Sequence, residues 1–287
     1  MPRVSVVSDT TASVPDAVAK AHSLHLVPLW VNWGGARSEP ETASAASFYA
    51  DLRASERLPT TSQPPPGDFV RTYEPLLAEG GSVVSVHLSG GLSGTCDAAR
   101  QAARLLAEEG GGGERVLVVD SRTTAGALGL LALVAARRVA GGDDAQAVAA
   151  AVEAARADVR LWARLDTLEY LRRGGRIGAA RAWLGSTLRL KPIVAVEGEI
   201  VPVERVRTSA RALERLVELA TDRADGQAVA WTVQHADAPA EAGELVARCR
   251  EALGGEPAFV SELGPVLGTH GGPGLLALSV LSGPSTT

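Results

Sequence analysis

The 287-residue chain predicts an α/β fold in two α/β domains. The first has a largely parallel sheet flanked by helices; the second has a mixed sheet with helices. Three observations carry this. Short β-branched runs alternate with Ala/Leu-rich helical segments as far as Ala157, the rhythm of parallel strands joined by helices. One run, "SVVSVHL" (Ser82 to Leu88), is apolar without a break, as a strand covered on both faces requires. Beyond Ala157 the strands crowd together, and "VEGEIVPVE" (Val196 to Glu204) reads as a hairpin turning at Glu197-Gly198, so antiparallel pairing is expected there. The length suits two domains, 1–157 and 158–287, with segment 59–75 expected to pack with the second. No Pro/Ser-rich linker separates the halves, so they should pack tightly.

The elements follow in order. "RVSVVSD" (Arg3 to Asp9) is a strand, Asp16 to Leu24 a helix, and His25 to Trp33 extended. Gly67 to Gly80 has apolar residues at helical spacing. After the Ser82–Leu88 strand, "SGGLSGT" opens a helix running through "CDAARQAARLLAEE". "GGGGE" is a turn, Arg115 to Asp120 a strand, and Ala125 to Ala140 a buried helix. "GGDD" then opens a helix from Ala145 to Ala157. In the second half, "VRLWARL", "IVAVEGEIVPVERV", "AVAWTVQHA" and "AFVSEL" are strands, interleaved with helices Ser209–Thr221 and Pro239–Leu253. "GPVLGTHGGPG" (Gly264 to Gly274) reads as the most turn-prone segment of all, with His270 held in neither helix nor strand.

Composition narrows the function classes. The net charge is −5 and the arginines are dispersed, which argues against a nucleic-acid partner. Lys20 and Lys191 are the two lysines, a bias read as codon usage. Cys96 and Cys249 are far apart and in no metal spacing, so a reducing cytoplasm fits. The longest apolar run, Ala125 to Ala136, is too short to span a bilayer. No metal or cofactor motif is found.

Each polar motif has two readings. In "HLSGGLSGT", Ser89, Ser93, Gly94 and Thr95 stand where a strand meets a helix N-terminus, whose free N–H groups suit a carboxylate or phosphate; alternatively Ser93 or Thr95 caps the helix. Thr60, Thr61 and Ser62 are either hydroxyls held by Pro64 to Pro66 or caps in a surface loop. Arg176, delivered just past Gly174-Gly175 between two helices, either orients a carboxylate or is solvated. Lys191 is either retained for its compact ammonium or chance. Arg205 and Arg207 form a basic rim for a partner or a solvated strand end. Asp9 and Asp120, at strand C-terminal ends, line a ligand crevice or enter helices as caps.

Taken in order, "SDTTASVP", "TTSQPPPGDF", "HLSGGLSGT", "VVDSRTTAGALG", "YLRRGGRIG", "LRLKPIV…EGEIVPVERVRT" and "LGPVLGTHGGPG" resemble the DegV family, the fatty-acid-binding subunits of bacterial fatty acid kinases. The resemblance runs from Val4 to about Val280. It implies a long-chain fatty acid held in an internal tunnel. It also implies a carboxylate bound by Thr61 and Ser93 with their neighbours Ser62 and Gly94, supported by Arg176 and His270. Arg207, with Arg205, matches a position associated with docking a separate ATP-dependent kinase, which would make an acyl phosphate for phospholipid synthesis. The chain itself would then be a cytoplasmic lipid carrier rather than an enzyme, with no cofactor, and transient contact with a membrane surface would serve lipid exchange. Three positions depart from the family pattern: Gly90 where a second serine is usual, Gly271 where a threonine is common, and Cys96 where a tyrosine is common. The competing expectation is a serine hydrolase of α/β type acting on a lipid ester, with Ser89 or Ser93, Asp120 and His270 in the chain order Ser, Asp, His.

Overall fold

The computed structural model describes residues 3–34, 37–41, 45–55, 57–184, 190–227 and 229–283. The chain order is β1 (Val4–Asp9), α1 (Asp16–Ala21), β2 (Leu24–Val27), β3 (Trp30–Trp33), β4 (Arg37–Pro40), α2 (Ala45–Ala54), β5 (Thr60–Ser62), α3 (Pro66–Leu77), β6 (Ser82–His87), α4 (Thr95–Glu108), β7 (Val116–Asp120), α5 (Ala125–Ala140) and α6 (Ala145–Ala155). It continues with β8 (Val159–Arg164), α7 (Glu169–Arg173), β9 (Lys191–Val196), β10 (Ile200–Val206), α8 (Ser209–Ala224), β11 (Val229–His235), α9 (Pro239–Leu253), β12 (Phe259–Glu262), α10 (Pro265–Gly271) and β13 (Leu276–Ser282).

The continuous apolar strands of the first half pair as expected. β2-β1-β6-β7 form a four-stranded sheet that is parallel throughout. The second half forms a six-stranded sheet, β10-β9-β8-β13-β11-β12. It is mixed, with β11 and β12 parallel and the other pairs antiparallel. The expected hairpin is β9–β10, Val196 facing Ile200, and Gly198 in its turn has φ of 84°, where a side chain would be strained. A third, three-stranded sheet, β4-β3-β5, had no counterpart in the sequence reading.

These sheets stack with helices in five layers. α3 and α4 cover the outer face of the parallel sheet, and α8 and α9 cover the outer face of the mixed sheet. α5 lies between them, against β1 and β6 on one side and β8, β11 and β13 on the other. Its residues from Ala125 to Ala136 are all buried, which explains its lack of a polar stripe: a helix clamped between two sheets is apolar all round. Among the described residues no helix is long and apolar enough to cross a membrane.

Three local expectations are corrected. The helix from Asp16 stops at Ala21; the stretch His25 to Trp33 is extended as expected, divided between two strands in two sheets. Pro28 separates them because it has no N–H for a ladder. The segment Thr60 to Ser62 is not a loop but strand β5, with Thr61 opposite Val31. Most important, "GPVLGTHGG" is not a loop. It contains helix α10, with Pro265 in its first turn, an ordinary helix start, and Gly272 just past its end at φ of 74°, a backbone conformation that favours glycine. Its internal glycine serves packing: a Cβ on Gly268 would lie 2.7 Å from both Phe48 Cε1 and the Tyr49 hydroxyl.

Candidate functional site

A cavity of about 400 Å³ opens between the two large sheets, within the size range of small-ligand sites. The mixed sheet supplies much of its wall: Leu161, Ala163 and Leu165 from β8 and its end, Val194 and Val196 from β9, and Ala277 from β13. These are alternate positions on their strands, so one face of the sheet looks into the cavity. α10 adds Val266, Leu267, His270 and Gly271, and the start of α5 adds Thr124 and Ala125.

Against this apolar wall, five of the eight named candidates line the cavity: Thr61, Ser62, Ser93, Arg176 and His270. Their contacts draw them together. Thr61 Oγ1 lies 2.7 Å from His270 Nε2. Arg176 donates to the carbonyls of Leu92 and Gly174, which fixes it beside Ser93 and beside the imidazole; it is not a freely solvated arginine. The expected second helix after Arg176 is a 3-10 run, Gly178–Trp183, and the helix before it is the short α7. Ser62 and Gln63 are exposed while the apolar wall is largely buried, so the polar cluster forms the mouth. Gly94 stands behind the wall; a Cβ there would lie 2.2 Å from Gln63 Oε1, so its bareness admits the Gln63 amide. α4 has no side-chain cap at Gly94; Ser93 Oγ sits 2.9 Å from Thr95 Oγ1 instead. Capping therefore does not account for these two hydroxyls.

Electrostatics make His270 neutral. Burial, and then the nearby positive charge of Arg176, push its pKa down to about 4. Its Nδ1 is buried with no partner, facing Gly174, where a Cβ would lie 2.2 Å away. A buried N–H without an acceptor costs more than a bare acceptor nitrogen, so the proton belongs on Nε2. Nε2–H then donates to Thr61 Oγ1, and the Thr61 hydroxyl proton is free to donate to a ligand.

The other candidates lie elsewhere. Arg205 and Arg207 are exposed and off the cavity wall, with the Arg205 guanidinium 5.2 Å from the centre of the Trp183 ring. Lys191 pairs with Asp166; Leu188 and Arg189, which open its motif, lie outside the described residues. Asp120 accepts from the backbone N–H of Gly90 and Arg122, and Asp9 from Thr11 and Leu88, so both brace turns. The hydrolase constellation does not assemble. Ser89 Oγ donates to the Gly198 carbonyl, Ser93 bonds Thr95, and His270 bonds Thr61. A Ser–His–Asp chain does exist elsewhere, from Ser85 Oγ through His87 to Asp9, and Tyr73 closes it. Ser85, His87 and Asp9 have no exposed surface, so this chain ties strands together and meets no substrate.

Sequence reasoning missed Glu41. Its carboxylate accepts from the Val266 N–H at the start of α10 and from Thr10 Oγ1, and burial pushes its pKa up to about 7. It fixes the helix that carries His270. Both cysteines are buried free thiols, and among the described residues no His/Cys/Asp/Glu group could hold a metal ion.

Comparison with known proteins adds to this geometry. The DegV family model, described as "Uncharacterised protein, DegV family", matches residues 3–283. A DegV domain-containing protein from Streptomyces coelicolor is 42% identical over 97% of this chain and 98% of its own. Among solved structures, a Thermus thermophilus DegV family protein described for fatty acid binding is 33% identical at a TM-score of 0.87, covering 98% of this chain and 99% of that one. DegV of Bacillus subtilis, described as a fatty acid binding protein, is 32% identical at a TM-score of 0.87, with 98% and 99% coverage.

Proposed function

The chain belongs to the DegV family, and on that premise we propose that it binds a long-chain fatty acid in the cavity, tail inward and carboxylate at the mouth. The observation that carries this is the convergence of Thr61, Ser93, Arg176 and His270 at one mouth of a cavity whose remaining wall is mostly apolar. A half-buried carboxylate needs a countercharge and donors. Arg176 supplies the charge, and the Thr61 and Ser93 hydroxyls supply donors, with Ser62 at the rim and Gly94 leaving room for Gln63. His270 works mainly through Thr61, aligning its hydroxyl. The tail gains about 0.8 kcal/mol per buried CH₂, so a long chain supplies most of the affinity.

The same reading makes the chain a carrier that presents the acyl carboxylate to a separate ATP-dependent kinase for acyl-phosphate formation, with Arg205 and Arg207 on the docking surface. The exposed mouth supports this, because a partner can reach the carboxylate without unfolding the cavity. A cytoplasmic setting and brief membrane contact for lipid exchange belong to the same reading. The test is extraction of the purified protein followed by lipid mass spectrometry, and titration of the delipidated protein with oleate. One fatty acid per chain and saturable binding are expected; the absence of both bound lipid and oleate binding would overturn the proposal. Adding the kinase and ATP should yield a hydroxylamine-trappable acyl phosphate from the loaded protein alone.

A further inference from the structure

The groups around His270 leave a second polar feature of the same cavity unused. Thr124 stands at the N-cap of α5, where a threonine ordinarily caps the helix, yet its side chain makes no capping bond. It lines the cavity, is 7% exposed, and its hydroxyl has no partner. Ala125, next along the wall, takes φ of 48°. The leading N–H groups of a helix have no intrahelical acceptor, so the start of this 16-residue helix is rich in donors.

More unpartnered groups lie on the sheet face that the same helix covers. At Gly126 a Cβ would lie 2.1 Å from Thr232 Oγ1 and 2.2 Å from Gln234 Oε1, so the first turn of α5 rests on these two side chains. Gln234 and Ser279 have no exposed surface, and Gln234 Nε2 and Ser279 Oγ have no partner. The strand register brings both next to the cavity wall. Gln234 is opposite Ala277, and Ser279 is opposite Leu161; Ala277 and Leu161 both line the cavity. Buried hydroxyl and amide groups are nearly always hydrogen-bonded, and an alkyl chain offers them nothing.

Resting on the fatty-acid reading, we infer that Thr124, with Gln234 and Ser279 behind it, forms a subsite for an oxygen function carried on the acyl chain. The favoured ligand is then a hydroxy fatty acid. A chain hydroxyl both donates and accepts, which matches the Thr124 hydroxyl and the donors at the start of α5.

The test titrates delipidated full-length protein with stearic acid and with a positional series of monohydroxystearic acids, by displacement of a fluorescent fatty acid. One position should bind about tenfold more tightly than stearic acid, the scale of one buried hydrogen bond. That ratio should fall to near one in Thr124→Val. If Thr124→Val fails to fold by circular dichroism, the ratio is read in Ser279→Ala, where it should also shrink. Equal affinity across the series, or a preference that survives in both variants, overturns the subsite and leaves the fatty-acid reading standing. Failure of stearic acid itself to bind overturns both.

Discussion

At the residue scale, the site depends on a neutral histidine. Protonation would set an imidazolium beside the Arg176 guanidinium in a buried place, and that repulsion, added to the cost of burial, holds the His270 pKa at about 4. The imidazole therefore orients Thr61 rather than supplying charge. This can be tested without deleting any donor. Gly174 has φ of −73°, which alanine adopts freely, but its Cβ would lie 2.2 Å from His270 Nδ1. Gly174→Ala should push the ring away from Thr61 and weaken oleate binding about tenfold, the worth of one hydrogen bond to a charged group, while the overpacking lowers stability by about 1–3 kcal/mol and circular dichroism shows the fold retained. Unchanged affinity in a displacement assay would mean that the Thr61–His270 contact does not serve the ligand.

At the scale of the element, α10 carries opposing titrations at its two ends. Glu41 is held at its start with a pKa raised from 4.5 to about 7, and His270 near its end has one lowered from 6.5 to about 4. The folded chain binds the Glu41 proton more tightly than the unfolded chain, so that contribution is full below about pH 4.5 and is lost as pH rises through 7. It binds the His270 proton less tightly, so that contribution is full above about 6.5 and is lost as pH falls toward 4. The two slopes nearly cancel in the shared window. Glu41→Gln keeps an acceptor for Val266 but removes one titration. Its stability relative to the wild type should rise by about 3 kcal/mol between pH 4.5 and 7, read as melting curves across that range; a constant difference would rule out a raised Glu41 pKa. None of this was visible in the sequence. "GPVLGTHGG" reads as a turn because Gly268 and Gly271 dominate it, and the reason for Gly268 is the ring edges of Phe48 and Tyr49, distant in the chain. Glu41 meets Thr10 and Val266 only through the fold. The parallel strands and the β9–β10 hairpin were legible because their patterns are local. Thr61, Ser93, Arg176 and His270 were legible one by one as unusual polar residues, and the family resemblance implied that they share a carboxylate; their spacing alone did not bring them together.

At the scale of the whole molecule, one helix decides whether the two halves are separate objects. α5 belongs by sequence to the first half, yet it packs on β8, β11 and β13 as closely as on β1 and β6. A single apolar cluster runs from Val6 and Val84 through Leu128 and Leu131 to Leu161 and Ala277. The cavity lies in this shared layer, so its shape depends on both sheets staying in place. Leu131 is fully buried at mid-helix, and a Leu→Ala change at such a site costs about 3 kcal/mol. If the halves fold as one unit, Leu131→Ala lowers the amide-exchange protection of β6 and of β13 by the same amount, because both open through the same global transition. Hydrogen exchange read by mass spectrometry on peptides from the two strands checks this. A loss confined to β6 would mean that the first half opens alone, and a ligand could then enter by separation of the sheets. Equal loss leaves the mouth at Thr61 and His270 as the route, which is also where a carboxylate has a countercharge waiting.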